Sequence, residues 1–351
     1  MTGLLDRNHT VILLYVFSAL FVFGIWVVGT TSPYTSMNGD PRSKVSDLIN
    51  GTAHNPFVQR ALIPILTRSV NTIVPQSLKS EFSTKLINIP RFHREIERLG
   101  WEEEFLPQYL IAFTFVFLSL LGWMFVIREL FGALYQTSLI LTNIIPVVAV
   151  YCLPVMFHSG THYLYDFPSI FFFTTGLYLI IQRKWVPFYL VYALGCINKE
   201  TTVLLTVAFA LIYFRNLGKP AFFKHVSTQL LIFSIVKSAL MIVYSGNPGK
   251  NLEFHFFGNL YNLFFPMTIV TLLFFVIFTI LIFYEIKNKP LVLRRTFFLI
   301  VPFFALTFTF GVLEEVRAMY EIFSVVFLLL VHTIFFSIFK IPCKVRPSLI
   351  P

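Results

Sequence analysis

"LGCINKETTVLL", residues 194–205, lies between apolar runs on both sides, and Asn198, Lys199 and Glu200 stand at its centre. A lysine or a glutamate at bilayer depth costs about 2.5–3.5 kcal/mol on insertion scales, so an unselected sequence would rarely keep both. The flanking composition makes that depth the relevant one. Of 351 residues, 56% are hydrophobic and 13% charged, and the mean hydropathy of +0.76 lies far outside the soluble range. The fold class expected is all-α and polytopic. The balance of 27 Lys+Arg against 17 Asp+Glu does not point to nucleic acid, because the basic residues fall in short segments between apolar spans.

About 20 apolar residues span a bilayer, fewer where a helix is broken or buried in protein. On that rule ten spans are predicted, near 11–30, 107–127, 133–157, 168–182, 186–198, 201–214, 226–244, 260–285, 296–313 and 318–339. The fifth and sixth are short, and the "NKE" stretch separates them. The run 11–28 lacks a small-residue cleavage site and is read as the first membrane helix. Short loops carrying Arg183 and Lys184, then Arg215, Lys219 and Lys224, then Lys287, Lys289, Arg294 and Arg295, then Lys340, Lys344 and Arg346, are read as cytoplasmic. Ten spans then alternate with both termini inside, and the default location is a bacterial inner membrane. Residues 1–351 form one transmembrane domain, with an extracytoplasmic loop at 31–106, the remaining spans at 107–339 and a cytoplasmic tail at 340–351.

The first loop is basic, but loops of this length translocate largely regardless of charge. Within it, "PFVQRALIPILTRSVNTIV" has apolar residues at roughly helical spacing with Arg60 and Arg68 on the polar side, as in a helix lying on the membrane. "RFHREIERLGWEEEFLPQYL" mixes charge signs and reads as a solvated helix leading into the second span. Cys152 and Cys196 lie in apolar spans and Cys343 in the tail, so no disulfide framework is expected. Two glycosylation sequons, at Asn8 and Asn50, match a pattern common by chance.

This topology sorts the costly polar residues onto the outer side. They are Asp40, Asp47 and Arg60 of the first loop; His158, His162 and Asp166 of "HSGTHYLYD"; Asn198, Lys199 and Glu200; His255; and Glu314, Glu315 and Arg317. Lys237, inside the seventh span, adds a further cation. Together they predict an outward polar cavity with Lys199 and Glu200 at its floor, suited to an anionic ligand. Arg317 suits a bidentate phosphate or carboxylate contact. Each residue also has a structural reading: a Lys199–Glu200 pair, a solvated 314–317 loop, Asp166 as a helix cap before Pro168, a snorkelling Lys237, and histidines without metal spacing. Their shared side favours the cavity.

Two stretches, "GDPRSKVSDLINGTAHNPFVQRALIP" and "YDFPSIFFFTTGLYLIIQRKWVPFYLVYALGCINKETTVLL", carry a resemblance. A first span, a large outer loop with an early acidic residue, an aspartate at the outer start of a helix, a basic turn and an "LGxxxxK" segment resemble the GT-C superfamily of polytopic glycosyltransferases. Those enzymes use polyprenyl-phosphate-linked sugars. The matching stretches cover about residues 11–70 and 158–214, and the later spans fit in kind. Where many members have Asp-Glu or Asp-x-Asp in the first outer loop, this chain has the isolated Asp40 and Asp47, so the base stays open between them and no divalent metal is expected.

The resemblance implies transfer of a sugar from a polyprenyl-phosphate donor to a glycan, lipid or protein acceptor on the outer side. A first-loop aspartate, Asp47 or Asp40, serves as base. Lys199, Arg317, Arg60 and Lys237 hold the donor phosphate. Asp166, His162, Glu200, Asn198, Glu314, Glu315 and His255 orient hydroxyls. No Gly-rich phosphate loop is present, as a lipid-linked donor would allow. A transporter or flippase, or a non-catalytic subunit of a membrane assembly, are the alternatives. The feature that separates them is whether a first-loop carboxylate faces the Lys199 cavity.

Overall fold

In lipid every backbone N–H and C=O must be satisfied within its own segment, so long apolar runs become helices. The computed structural model describes residues 8–28, 37–156, 162–264, 269–312 and 315–347, and the fold they form is helical. Helix α1 (Asn8–Val28) is followed by four helices before the next long one: α2 (Val45–Asn50), α3 (Leu62–Ile73), α4 (Gln76–Ile87) and α5 (Pro90–Leu99). Then come α6 (Leu106–Leu134), α7 (Leu139–Cys152), α8 (Asp166–Ile181), α9 (Trp185–Asn198), α10 (Leu204–Tyr213) and α11 (Lys219–Val243). The chain continues through α12 (Phe256–Phe264), α13 (Ile269–Phe283), α14 (Leu291–Thr296), α15 (Ile300–Phe310) and α16 (Tyr320–Val331). The strands described are a two-residue antiparallel pair, β1 (Tyr135–Gln136) with β2 (Lys344–Val345).

Among the described residues six helical stretches are long and apolar enough to cross a membrane: His9–Val28, Glu103–Leu134, Leu139–Met156, Lys219–Val243, Leu291–Phe310 and Tyr320–Ile338. The chain is an integral membrane protein of multiple helices. Ten full-length spans are not seen. The expected fourth, fifth and sixth are apolar helices below that length, Asp166–Ile181, Trp185–Asn198 and Glu200–Tyr213. The expected eighth is divided between α12 and α13, with residues 265–268 outside those described.

The first of these short helices lies at the heart of the bundle. Helix α8 packs on α6, α9, α10 and α16, and it is buried nearly all round, from Phe167 and Ile170 to Leu177 and Ile181. Such burial suits a helix apolar on every face. Two internal hydrogen bonds tie the core: Trp123 Nε1 donates to Ser324 Oγ at 3.0 Å, and Thr174 Oγ1 meets the same oxygen at 2.7 Å. Helix–helix bonds of this kind contribute about 0.6 kcal/mol each on average.

The first loop docks on the bundle through a second apolar cluster, in which Leu48, Ala53, Phe57, Val58 and Ala61 meet Tyr163, Tyr165, Leu240 and Tyr244. Residues after α11 lock it there. Asn247 Nδ2 donates to the Gly51 and Ala53 carbonyls at 2.8 and 2.9 Å, and Asn55 N donates to Pro248 O at 2.8 Å. Gly249, at φ 92°, passes so close to the Asn55 carbonyl that a Cβ there would sit 2.6 Å from its oxygen. Only glycine accommodates both constraints.

Two loop expectations change. The stretch 56–74 is not one interfacial helix: a 3-10 turn over Phe57–Gln59 precedes α3, and Arg60 caps that turn. The mixed-charge helix does not run into the second span, because α5 stops at Gly100, whose φ of 63° is a left-handed helix end.

Candidate functional site

The break in "LGCINKETTVLL" comes where α9 ends. Lys199 is extended at φ −159°, and a 3-10 turn over Glu200–Val203 leads into α10. The turn packs tightly against α9, since a Cβ on Gly195 would lie 2.8 Å from Thr202 Cγ2. Asn198 fixes it from below, donating through Nδ2 to Tyr165 O at 3.1 Å and Ser169 Oγ at 3.0 Å. The first loop meets the same corner, where Ala61 N donates to Ile197 O at 3.0 Å.

Above this corner opens a cavity of about 470 Å³ lined by the first loop, the α9–α10 break, α11, the 251–255 segment and the chain before α16. Asp40, Arg60, Lys199, Glu200, Lys237 and His255 line it, with Glu315 and Arg317. Eight residues singled out from the sequence thus share one cavity.

The electrostatics differ from a bare cationic floor. Arg60 clamps Glu200, with Nη2 to Oε1 at 2.6 Å and Nε to Oε2 at 3.3 Å, and its Nη1 donates to the Tyr165 hydroxyl. Lys237 Nζ approaches Glu200 Oε2 at 3.7 Å. Arg317 lies between Glu315, at 2.6 Å, and Asp166, at 3.5 Å. Lys199 Nζ reaches back to Glu321 Oε1 at 2.9 Å, and Thr201 Oγ1 donates to the same oxygen. At the rim Arg42 bridges Asp40 at 2.8 Å and Glu253 at 2.6 Å. Each cation on the wall therefore faces a carboxylate, and the cavity is a ring of matched pairs, as burial of charge requires.

Aromatic faces hold the guanidinium groups flat. Arg60 lies 4.5 Å from the Tyr165 ring centroid and Arg317 lies 4.2 Å from that of Tyr163. The two tyrosines stack on each other, 5.0 Å apart. Burial pulls the Arg60 and Arg317 guanidinium groups down, but facing carboxylates outweigh it, so both are held above the usual arginine range. Burial also raises the Asp40 carboxyl, yet hydrogen bonds from Arg42 outweigh it and hold Asp40 below its ordinary value. Asp40 thus stands ionised at the rim as an acceptor.

Four expected residues lie elsewhere. Asp47, in α2, does not line the cavity, and its Oδ1 accepts from Thr52 Oγ1 at 3.1 Å. His162 is buried away from it, stacked on Trp26 with Nδ1 2.6 Å from the Trp26 carbonyl. Asp166 and Asn198 are buried behind the wall. Asp166 accepts from Tyr163 N at 2.9 Å at the start of α8, where the helix dipole favours a carboxylate, and acts on the cavity through Arg317. Glu314 and His158 fall outside the described residues.

The sequence reading missed Arg42, Glu253, Tyr163, Tyr165 and Glu321. Glu321 carried a usable signal, since a carboxylate in "MYEIFSVVFLLL" at the head of an apolar run is costly unless paired. Among the described residues no group of three or more His, Cys, Asp or Glu side chains is arranged to hold a metal ion. No protein-family model, curated protein or solved structure matches this chain.

Proposed function

We propose that this chain is a membrane glycosyltransferase that takes a sugar from a polyprenyl-phosphate donor and passes it, with inversion, to an acceptor hydroxyl on the extracytoplasmic side. One observation carries the reading: a first-loop carboxylate, Asp40, faces the same cavity as the Lys199 break. A transporter or a structural subunit has no need of that placement.

In this reading Asp40 is the base and Asp47 is not, because only Asp40 reaches the cavity. The acceptor oxygen attacks the anomeric carbon as its proton passes to Asp40, and the bond from that carbon to the phosphate oxygen breaks. The polyprenyl monophosphate leaves with the electron pair. Arg60 and Lys237 are the cations placed to meet that growing charge, since they share one carboxylate, Glu200, between them. Lys199 is engaged by Glu321 and positions the turn. Arg42 Nη2, 2.8 Å from Asp40 Oδ2, fixes that carboxylate at the rim, where it accepts from the substrate hydroxyl. The membrane face bearing the basic short loops is cytoplasmic.

The test is mass spectrometry of surface glycans and polyprenyl-linked sugars from cells that carry the chain and cells that lack it. Loss of one sugar residue, with its polyprenyl-phosphate donor accumulating, is the expected result. Unchanged glycans with loss of a transported or assembled product would replace this reading with the transporter or subunit one.

A further inference from the structure

The opposite end of the bundle holds a second pocket of different character. Helix α8 runs from Asp166, behind the outer cavity, to Ile181. Its 16 residues separate the two ends by about 24 Å. At the Ile181 end lies a cavity of about 260 Å³, lined among others by Leu134, Lys287, Lys289, Arg294 and Arg346. That volume is several times the roughly 30 Å³ occupied by one water in the liquid. No carboxylate lines it.

Its cations divide into two kinds. Lys289 is fully engaged, donating to the Leu281, Ile282 and Leu329 carbonyls and to Thr333 Oγ1 at 2.6–3.2 Å. Lys287, Arg294 and Arg346 have no carboxylate partner among the described residues. Arg294 has in addition a buried Nε with no acceptor, whereas its neighbour Arg295 donates to Ile212 O at 2.6 Å. An unmatched buried donor is costly unless a ligand supplies the acceptor. The outer cavity matches each of its cations with a carboxylate, and this pocket matches none of these three.

We infer that this pocket binds a phosphate ester, with Arg294 and Lys287 as its principal cations and Arg346 as the third. Guanidinium groups suit phosphate oxygens in geometry as well as charge. Apolar Leu134 and Ile181 in the same wall, at the end of the helices, favour the phosphate of an anionic phospholipid, and basic pockets between membrane helices take such headgroups. The inference does not depend on the sugar-transfer reading.

The test uses the full chain in nanodiscs of phosphatidylcholine, plain or doped with phosphatidylglycerol, and counts retained lipids by native mass spectrometry. A parallel arm titrates inorganic phosphate into plain nanodiscs and follows thermal unfolding. Variants are Arg294→Gln, the exposed pair Lys287→Gln/Arg346→Gln, and Arg215→Gln as a basic residue outside the pocket. Phosphatidylglycerol retention should fall roughly fivefold per pocket cation removed and stay unchanged in Arg215→Gln. Stabilisation by inorganic phosphate that needs Arg294, without lipid preference, would keep the site and assign it a soluble phosphate. The exposed pair keeps the question decidable if Arg294→Gln fails to fold. Equal losses in Arg215→Gln and the pocket variants, or no effect in either arm, would overturn the inference.

Discussion

Lys199 and Glu321 form a buried ion pair, Nζ to Oε1 at 2.9 Å, between the break after α9 and the first turn of α16. The pair explains how a lysine and a carboxylate persist among apolar helices: each supplies the counter-charge that removal from water demands. Glu321→Ala should cost about 3–5 kcal/mol by stranding the lysine. Lys199→Met/Glu321→Leu should recover most of that stability, as thermal unfolding in detergent will show. Equal destabilisation by the single and double variants would mean that the pair is not the stabilising unit.

Arg60 and Glu200 make a two-point contact that lysine cannot reproduce. Arg60→Lys should therefore lower stability by only about 1 kcal/mol, since Glu200 is partly exposed and keeps Lys237. Its effect on any cavity function should be much larger. Comparing unfolding midpoint with glycan output separates the two effects, and parallel losses would reduce Arg60 to a structural role.

Asp40 and Arg42 give the first loop an acid limb. The folded pKa of Asp40 lies below its ordinary value, so its contribution to stability is full at neutral pH and is lost as pH falls through that lowered pKa. Loop docking should hold down to about pH 4, the ordinary aspartate range, and weaken only below it. Arg42→Gln should move the onset of weakening to higher pH. Limited proteolysis of the 37–60 segment across a pH series will report it, and an unmoved onset would remove Arg42 from this role.

Gly195 and Thr202 set the approach of α9 to the turn that follows it. Gly195→Ala should cost about 1–3 kcal/mol through overpacking. Adding Thr202→Ala removes the opposing methyl and should restore part of the loss. No rescue would place the strain elsewhere.

Much of this was legible in the sequence. Hydropathy located the helices, and the sidedness of the charged loops brought Asp40, Arg60, Lys199, Glu200, Lys237, His255, Glu315 and Arg317 to one side, where the structure joins them in a cavity. The short apolar runs at 186–198 and 201–214 already marked α9 and α10 as less than full spans, but hydropathy could not show that α8 is enclosed by its neighbours, because a buried short helix and a spanning one share the same composition. Arg60 reads on the cavity side, where it lies, but on a continuous helix, because periodicity through "PFVQRALIP" does not register the 3-10 turn over Phe57–Gln59 that precedes α3. His162 read as a site residue, yet it stacks on Trp26. Tyr163 and Tyr165 gave no signal among 15 tyrosines, since only the fold reveals which of them carry an arginine on their face.

The decisive comparison is between two aspartates seven residues apart, one lining the cavity and one hydrogen-bonded outside it. Asp40→Asn and Asp47→Asn, each restored to cells lacking the chain and matched for protein level, should be read out by glycan mass spectrometry. Asp40→Asn should abolish the sugar residue that the native chain adds, while Asp47→Asn leaves it intact. Intact glycans from Asp40→Asn, or their loss from Asp47→Asn alone, would contradict sugar transfer at this cavity with Asp40 as base.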